Sequence, residues 1–143
     1  MPLAAAAAAL GLAGCQVTNP IQTDEPYVPG DGVPVDLEQV QIRNLVVVSE
    51  TEGGAGTLSG HVVNRAGEPV TVTFAGEGGA NASIQVPAYA DESLSTQTPV
   101  TLTPVTAKPG AVATLQVSTQ AAGSNIVEVP VVTPEGYYET LAP

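Results

Sequence analysis

Several residue types are scarce in this sequence, and each scarcity excludes a class of structure or function. The single cysteine cannot form a disulfide within the chain, and tryptophan is absent. One histidine and one methionine leave few ligands for a soft metal. Lysine and arginine number 3 against 14 aspartates and glutamates, and the resulting charge of -11 repels phosphate backbones. Nucleic acid is therefore excluded as a partner.

The residues that are abundant indicate β structure. Hydrophobic residues make up 43% of the 143 positions and charged residues only 12%, so the chain can bury a core of one domain. Many of the hydrophobic and neutral polar positions are Val and Thr, whose branched side chains pack well on a pleated sheet. The 15 glycines and 13 prolines supply turns between short strands and would interrupt long helices.

The first fifteen residues resemble the signal of a bacterial lipoprotein. Residues 4–13 form an uncharged apolar run that is too short to span a bilayer and is typical of a signal-peptide core. The sequence Leu12-Ala13-Gly14-Cys15 that follows is similar to a lipobox at all four positions. The resemblance implies that residues 1–14 are cleaved and that Cys15 carries the lipid. The alternative is an Ala-rich helix with an incidental cysteine.

Residues 15–38 are predicted to be a tether between the lipidated Cys15 and a folded domain. The segment is rich in Pro and acidic residues and has neither helical nor strand periodicity, so we expect an extended linker. The alternative is an irregular first strand with a long loop, in which Tyr27 and Val28 dock on the domain.

Residues 39–133 are predicted to form an immunoglobulin-like antiparallel β-sandwich of about seven strands. Short apolar segments alternate with Gly/Pro turns, although the Cys pair and buried Trp of immunoglobulin domains are absent. In the third segment, for example, Val70, Val72 and Phe74 alternate with threonines and are expected to face inward. The predicted strands are 40–49, 57–63, 70–75, 82–86, 100–103, 111–119 and 125–132. Residues 134–143 are predicted to be a frayed tail, in which Tyr137 and Tyr138 could fold back as a cap.

The sequence offers little that indicates catalysis or metal binding. His61, the single imidazole, is predicted to lie on a strand and to face solvent, with no partner nearby for acid–base or metal chemistry. It is the weak metal candidate. The acidic stretches at residues 77–79 and 91–93 lack the ligand spacing of calcium sites and are predicted to be solvated loops. We expect no enzyme activity and no cofactor.

Three features together resemble small actinobacterial surface lipoproteins of the PCuAC-like, copper-chaperone-like group: the lipobox, the acidic tether and the segment from Val40 to about Phe74. Residues 40–72 of this segment read VQIRNLVVVSETEGGAGTLSGHVVNRAGEPVTV. The resemblance implies a β-rich fold. Copper-carrying members use Met and His ligands, whereas here Met1 would be removed with the signal and His61 alone would remain.

Two functions are compatible with these features. The first is a lipid-anchored binding or interaction module outside the cytoplasm, which is held at the cell membrane and acts on an envelope protein partner. The alternative is an accessory lipoprotein that handles copper or a small ligand.

Overall fold

The computed structural model describes residues 30–143, so the predicted signal peptide, Cys15 and most of the predicted tether lie outside the described residues. Within these residues the chain forms nine strands and two short 3-10 helices. The strands are β1 (Val33–Leu37), β2 (Val40–Ser49), β3 (Gly56–Asn64), β4 (Val70–Gly76), β5 (Asn81–Val86), β6 (Asp91–Ser93), β7 (Thr101–Leu102), β8 (Val112–Thr119) and β9 (Gly123–Val132). The helices are Glu77–Gly79 and Gly136–Leu141. No helix within residues 30–143 has the length and apolar character needed to cross a bilayer.

The strands form a sheet that folds over into a near-barrel, in the order β5-β4-β8-β9-β2-β3-β6. β1 adds to β2, and β7 adds to β3. β9 joins the two halves, because its first part pairs antiparallel with β8 and its end, at Val131 and Val132, pairs parallel with β2. The predicted all-β sandwich is confirmed, with nine strands in place of about seven and with one parallel pair.

The core consists of aliphatic side chains that alternate along the strands, with Phe74 at its centre. Val72, Phe74, Leu115 and Val117 are all at most 2% exposed, as the period-two pattern of β4 and β8 predicts. Val70, which was also expected inside, is half-buried because it lies at the end of β4 beside the loop 65–69. An aliphatic core of this kind buries less area per side chain than an aromatic one, so its stability depends on many small side chains from several strands.

The predicted boundary between tether and domain at residue 38 is wrong by one strand. Residues Val33–Leu37 form β1, which pairs antiparallel with β2 and buries Val35 and Leu37. The physical reason is the alternation of Val33, Val35 and Leu37, which lets one face pack on the core while Pro34 and Asp36 face solvent. β1 therefore begins six residues before the predicted start of the domain at residue 39, in the segment where the alternative expected a first strand. The docking of Tyr27 and Val28 that this alternative included lies outside the described residues.

β2 has a bulge at Asn44, where the pairing of β1 with one edge of β2 and of β3 with the other edge both change register. Asn44 adopts a positive φ of 56°, and the register of both neighbouring strands shifts there. The Asn44 side chain accepts a hydrogen bond from the Gly32 N–H at 2.8 Å, which fixes the start of β1. Opposite the bulge, Gly60 has a φ of 139°, and a Cβ there would lie 2.9 Å from the Arg43 carbonyl oxygen. Only glycine fits this close approach.

The predicted frayed tail is ordered instead. Residues Gly136–Leu141 form a 3-10 helix that covers the outer face of β2, where Tyr138 packs on Val46 and Val48. The Tyr138 hydroxyl donates a hydrogen bond to Asp31 Oδ2 at 3.0 Å. The predicted cap is thus formed by Tyr138, whereas Tyr137 is 83% exposed.

Candidate functional site

His61, the weak metal candidate, lies on β3 and is exposed, as predicted. Its cross-strand neighbours are Arg43 on β2 and Ser93 on β6. Arg43 also forms an ion pair with Asp36 at 2.7 Å on the exposed surface. The cross-strand register thus places a cationic residue on one side of His61 and a hydroxyl residue on the other. Among residues 30–143, the one ion pair is Arg43–Asp36, and His61 takes no part in it.

The two acidic stretches considered for calcium are separated in the fold. The segment at 91–93 forms the short strand β6 on the edge of β3, which corrects its prediction as a loop. Glu77 lies on the first 3-10 helix, where its Oε2 accepts a hydrogen bond from Thr106 Oγ1 at 3.2 Å. Across residues 30–143, no group of three or more His, Cys, Asp or Glu side chains is placed to hold a metal ion.

Copper is the metal that the family resemblance implies, and the residues present do not fit it. The chain has one histidine, and its single methionine and cysteine, Met1 and Cys15, lie outside the described domain. A copper site needs several convergent N or S ligands, and in the described domain His61 supplies one at most.

A groove of about 420 Å³ lies between the two ends of the sheet. One wall is β5, which is the free edge beyond β4, and the other consists of β6 and the chain that leads from it to β7. The lining is mostly hydroxyl and amide side chains. These are Ser83, Gln85, Ser93, Thr96, Gln97, Thr98 and Thr101, together with the carboxylate of Glu92 and a few apolar residues. We call this groove the seam.

The loop at 95–99, which overhangs the seam, is closed at its base by three backbone hydrogen bonds. The Val100 N–H donates to the Leu94 carbonyl at 2.8 Å, and the Leu94 N–H donates to the Gly60 carbonyl at 3.0 Å. The Leu58 N–H donates to the Val100 carbonyl at 2.8 Å. Leu94 is fully buried and Val100 nearly so, so the loop stands on a rigid base.

The loops at one end of the domain are held by a buried side chain. Asn64 is 1% exposed, and its Nδ2 donates to the carbonyls of Glu68 at 2.8 Å and Pro87 at 2.9 Å, with a longer bond to Val86 at 3.3 Å. Its Oδ1 accepts from the Ala66 N–H at 2.9 Å. Both the amide nitrogen and the amide oxygen are thus engaged, and they fix the chain that follows β3 and the chain that follows β5.

Sequence reasoning did not find the seam. Its walls come from residues 82–85 and 92–101, which are joined only by the fold of the whole sheet. The available signal was the uncharged segment at 82–86, which was predicted as a strand without a place in the sheet.

Comparison with known proteins supports the fold. No protein-family model and no curated protein matches the chain. Among solved structures, the copper-bound PCuAC domain from PmoF2 aligns with a TM-score of 0.55 and 17% identity over 71% of this chain and 99% of that one. The apo PCuAC domain from PmoF1 aligns with a TM-score of 0.60 and 13% identity over 71% of this chain and 100% of that one. The apo PmoF2 PCuAC domain aligns with a TM-score of 0.54 and 17% identity over 73% of this chain and 98% of that one. The described domain therefore has a fold similar to that of PCuAC domains.

Proposed function

We propose that this protein is a lipid-anchored, non-catalytic binding module that displays its β domain outside the cytoplasm. The seam carries the binding part of the proposal, because it is a groove of about 420 Å³ that runs along the open sheet edge of β5. The lipobox-like sequence Leu12-Ala13-Gly14-Cys15 supports the anchor. Two acyl chains on Cys15 hold a protein at a membrane stably, where one chain would not.

The start of β1 at Val33 supports the display of the domain away from the lipid surface. Residues 16–32 would separate the anchored Cys15 from the first strand. A linker of this length spans roughly 20 Å as a flexible coil and about 50 Å if it is fully extended in the polyproline II form. The high content of Ala, Val, Gly and Pro also supports an origin of this lipoprotein in a GC-rich bacterium of the actinobacterial type.

Labelling of Cys15 in a bacterial host tests the anchor. With the full chain expressed alongside its Cys15→Ser variant, we expect the original chain alone to incorporate a labelled fatty acid and to fractionate with membranes. Mass spectrometry should then find residues 1–14 removed and a diacylglyceryl group on the Cys15 sulfur. Recovery of the chain from the cytosol with Met1 and a free thiol would overturn the proposal.

A second candidate function, the handling of copper, is favoured by the similarity to PCuAC domains. In this version the chain is an accessory protein, and a partner supplies most of the ligands. Titration of the purified domain with Cu(I) and Cu(II) separates the two functions. We expect binding weaker than about 1 μM, and the same result for His61→Ala. Tighter binding that His61→Ala removes and Ser93→Ala retains would reverse the order of the two candidates.

A further inference from the structure

The two outermost strands of the sheet face each other across the seam without pairing. β5 and β6 are the two ends of the strand order, and in the described chain β5 pairs with β4 alone. Parts of β3 and β7 also come close to β5, without pairing with it. The near-barrel therefore lacks the hydrogen bonds that would close it. The groove of about 420 Å³ lies along this gap.

The β5 strand itself carries none of the sequence features that usually protect a free edge, and the loop 95–99 is what lies beside it. Asn81–Val86 contains no charged residue and no proline, and it pairs with β4 over all six residues without a bulge. Natural proteins block such edges with charges, prolines, bulges or very short strands, because an open edge accepts other strands. β6 is protected in this way, since it has only three residues and two of them, Asp91 and Glu92, are charged.

The pairing with β4 determines which backbone groups β5 offers to the seam. The Gly76 N–H donates to the Ala80 carbonyl at 2.9 Å at the turn between the two strands. In an antiparallel pair the bonded positions alternate, so Ala82 and Ile84 bond to β4. The N–H and C=O groups of Asn81, Ser83 and Gln85 then point away from β4. Three donors and three acceptors thus face the open side.

The opposite wall restricts what can bind there. The loop 95–99 lines the groove opposite β5 on its hydrogen-bonded base. We therefore expect the groove to admit a single extended segment more readily than the edge of a second folded sheet. Glu92 is the charged residue of the lining, and the chain carries a net charge of -11. Electrostatic complementarity therefore favours a neutral or basic segment.

We propose that the seam accepts one extended, basic-to-neutral segment of a partner polypeptide, which adds to β5 as a further strand. The inference rests on the proposed function of a binding module and names the chemistry of its partner. Main-chain hydrogen bonds to Asn81, Ser83 and Gln85 supply the affinity, as in other cases of strand addition. Alternate side chains of the segment pack over the half-buried Ala82 and Ile84, and a lysine or arginine faces Glu92.

Two other occupants fit less well. The chain's own residues 16–29 include Pro20, Pro26, Asp24 and Glu25, which remove donors and bring negative charge toward Glu92. A second copy of the chain brings another charge of -11 and a sheet edge that must pass the loop 95–99. Both are kept as outcomes of the test.

Titration of the full chain with a blocked octapeptide of sequence Thr-Val-Lys-Val-Thr-Val-Lys-Thr tests the proposal, with NMR amide shifts as the readout. We expect saturable shifts centred on residues 81–86 and a dissociation constant below about 1 mM. Ser83→Pro deletes one donor that faces the seam while its neighbours keep their bonds to β4, and it should weaken binding about tenfold. The matched Ser83→Ala keeps the donor and should bind within about twofold.

A change in the peptide keeps the test decisive if Ser83→Pro does not fold. Methylation of alternate backbone nitrogens removes the donors that would reach β5, and this peptide should lose binding to the unaltered chain. Exchange of both lysines for glutamates should also weaken binding. Absence of shifts at β5, or equal binding of the methylated peptide, would overturn the proposal. Dimerisation of the chain that Ser83→Pro abolishes would assign the seam to a second copy and overturn it too. None of these outcomes affects the lipid labelling of Cys15, so the two proposals fail separately.

Discussion

At the scale of single residues, Tyr138 joins the first and last parts of the described chain. Its ring covers Val46 and Val48, and its hydroxyl bonds to Asp31. Burial, followed by the hydrogen bond and the negative charge of Asp31, raises the pKa of Tyr138 from 10.0 to about 12. All of these causes disfavour the tyrosinate form.

This shift predicts a loss of stability at high pH. The folded state keeps the Tyr138 proton to a higher pH than the unfolded state, because the folded pKa is the higher one. Its contribution is fully present below pH 10 and is lost as the pH rises from 10 toward about 12. Urea unfolding across this range should show a steeper fall in unfolding free energy for the unaltered chain than for Tyr138→Phe.

Tyr137→Phe is the matched control, because it removes a neighbouring tyrosine hydroxyl that is exposed rather than buried. Tyr137 is 83% exposed, and its ring centroid lies 5.2 Å from that of Tyr138 in an edge-to-face arrangement. This variant should retain the steep fall. An identical pH dependence in Tyr138→Phe and the unaltered chain would contradict the raised pKa of Tyr138.

Residue-scale prediction from the sequence succeeded where a pattern was local. The alternation in β4 placed Val72 and Phe74 inside, and His61 is exposed on its strand as expected. The role of Asn64 was missed, because a buried amide is recognised only by the distant carbonyls that it bonds, such as that of Pro87. Nothing in the neighbouring sequence distinguishes it from an ordinary turn residue.

At the scale of elements, β1 shows how composition can conceal a strand. Pro34 and Asp36 gave the segment the appearance of a linker, although Val33, Val35 and Leu37 keep a period of two. β6 was missed for a different reason. Its three residues carry two acids, so the strand exists through its pairing with β3 rather than through a hydrophobic pattern of its own.

The role of β1 in the core predicts a large effect for a change within it. Leu37 is 5% exposed, so Leu37→Ala should lower the unfolding free energy by about 2 to 4 kcal/mol. Val112→Ala on the exposed face of β8 removes a side chain that is 55% exposed and should cost less than about 0.5 kcal/mol. Denaturant titration measures both values. A loss of unfolding free energy for Leu37→Ala as small as that of the control would show that β1 does not belong to the folded core and is part of the tether.

At the scale of the whole molecule, negative charge is distributed with little compensation. The chain has 14 acids and 3 basic residues, and Arg43–Asp36 is an exposed ion pair that contributes little. Repulsion between the acids therefore opposes the compact state, and dissolved salt screens it.

This balance predicts that salt stabilises the domain. Between about 10 mM and 0.3 M sodium chloride, the unfolding free energy should rise by roughly 1 kcal/mol. Replacement of Glu50 and Glu52, which are exposed in one loop, by Gln should reduce this rise. Thermal melts at several salt concentrations measure it. A decrease in melting temperature with salt would show that attractive pairs dominate instead.

Whole-molecule features were the least predictable from the sequence. Seven of the strands lie close to their predicted positions, yet the parallel pairing of β2 with β9 joins residues more than 80 positions apart. The seam likewise depends on how the sheet curls, which no local pattern specifies. Strand positions are set by local alternation, whereas sheet order is set by the packing of the whole core.

The bond between Asp31 and Tyr138 also determines how the domain responds to mechanical force. A pull transmitted through the N-terminal segment reaches Asp31 before it reaches any strand, and there it meets a residue 107 positions further along the chain. We expect the first event under tension to be rupture of this contact and of the Gly32–Asn44 hydrogen bond next to it, followed by separation of β1 from β2. The final helix would thus delay the mechanical detachment of the first strand from the domain.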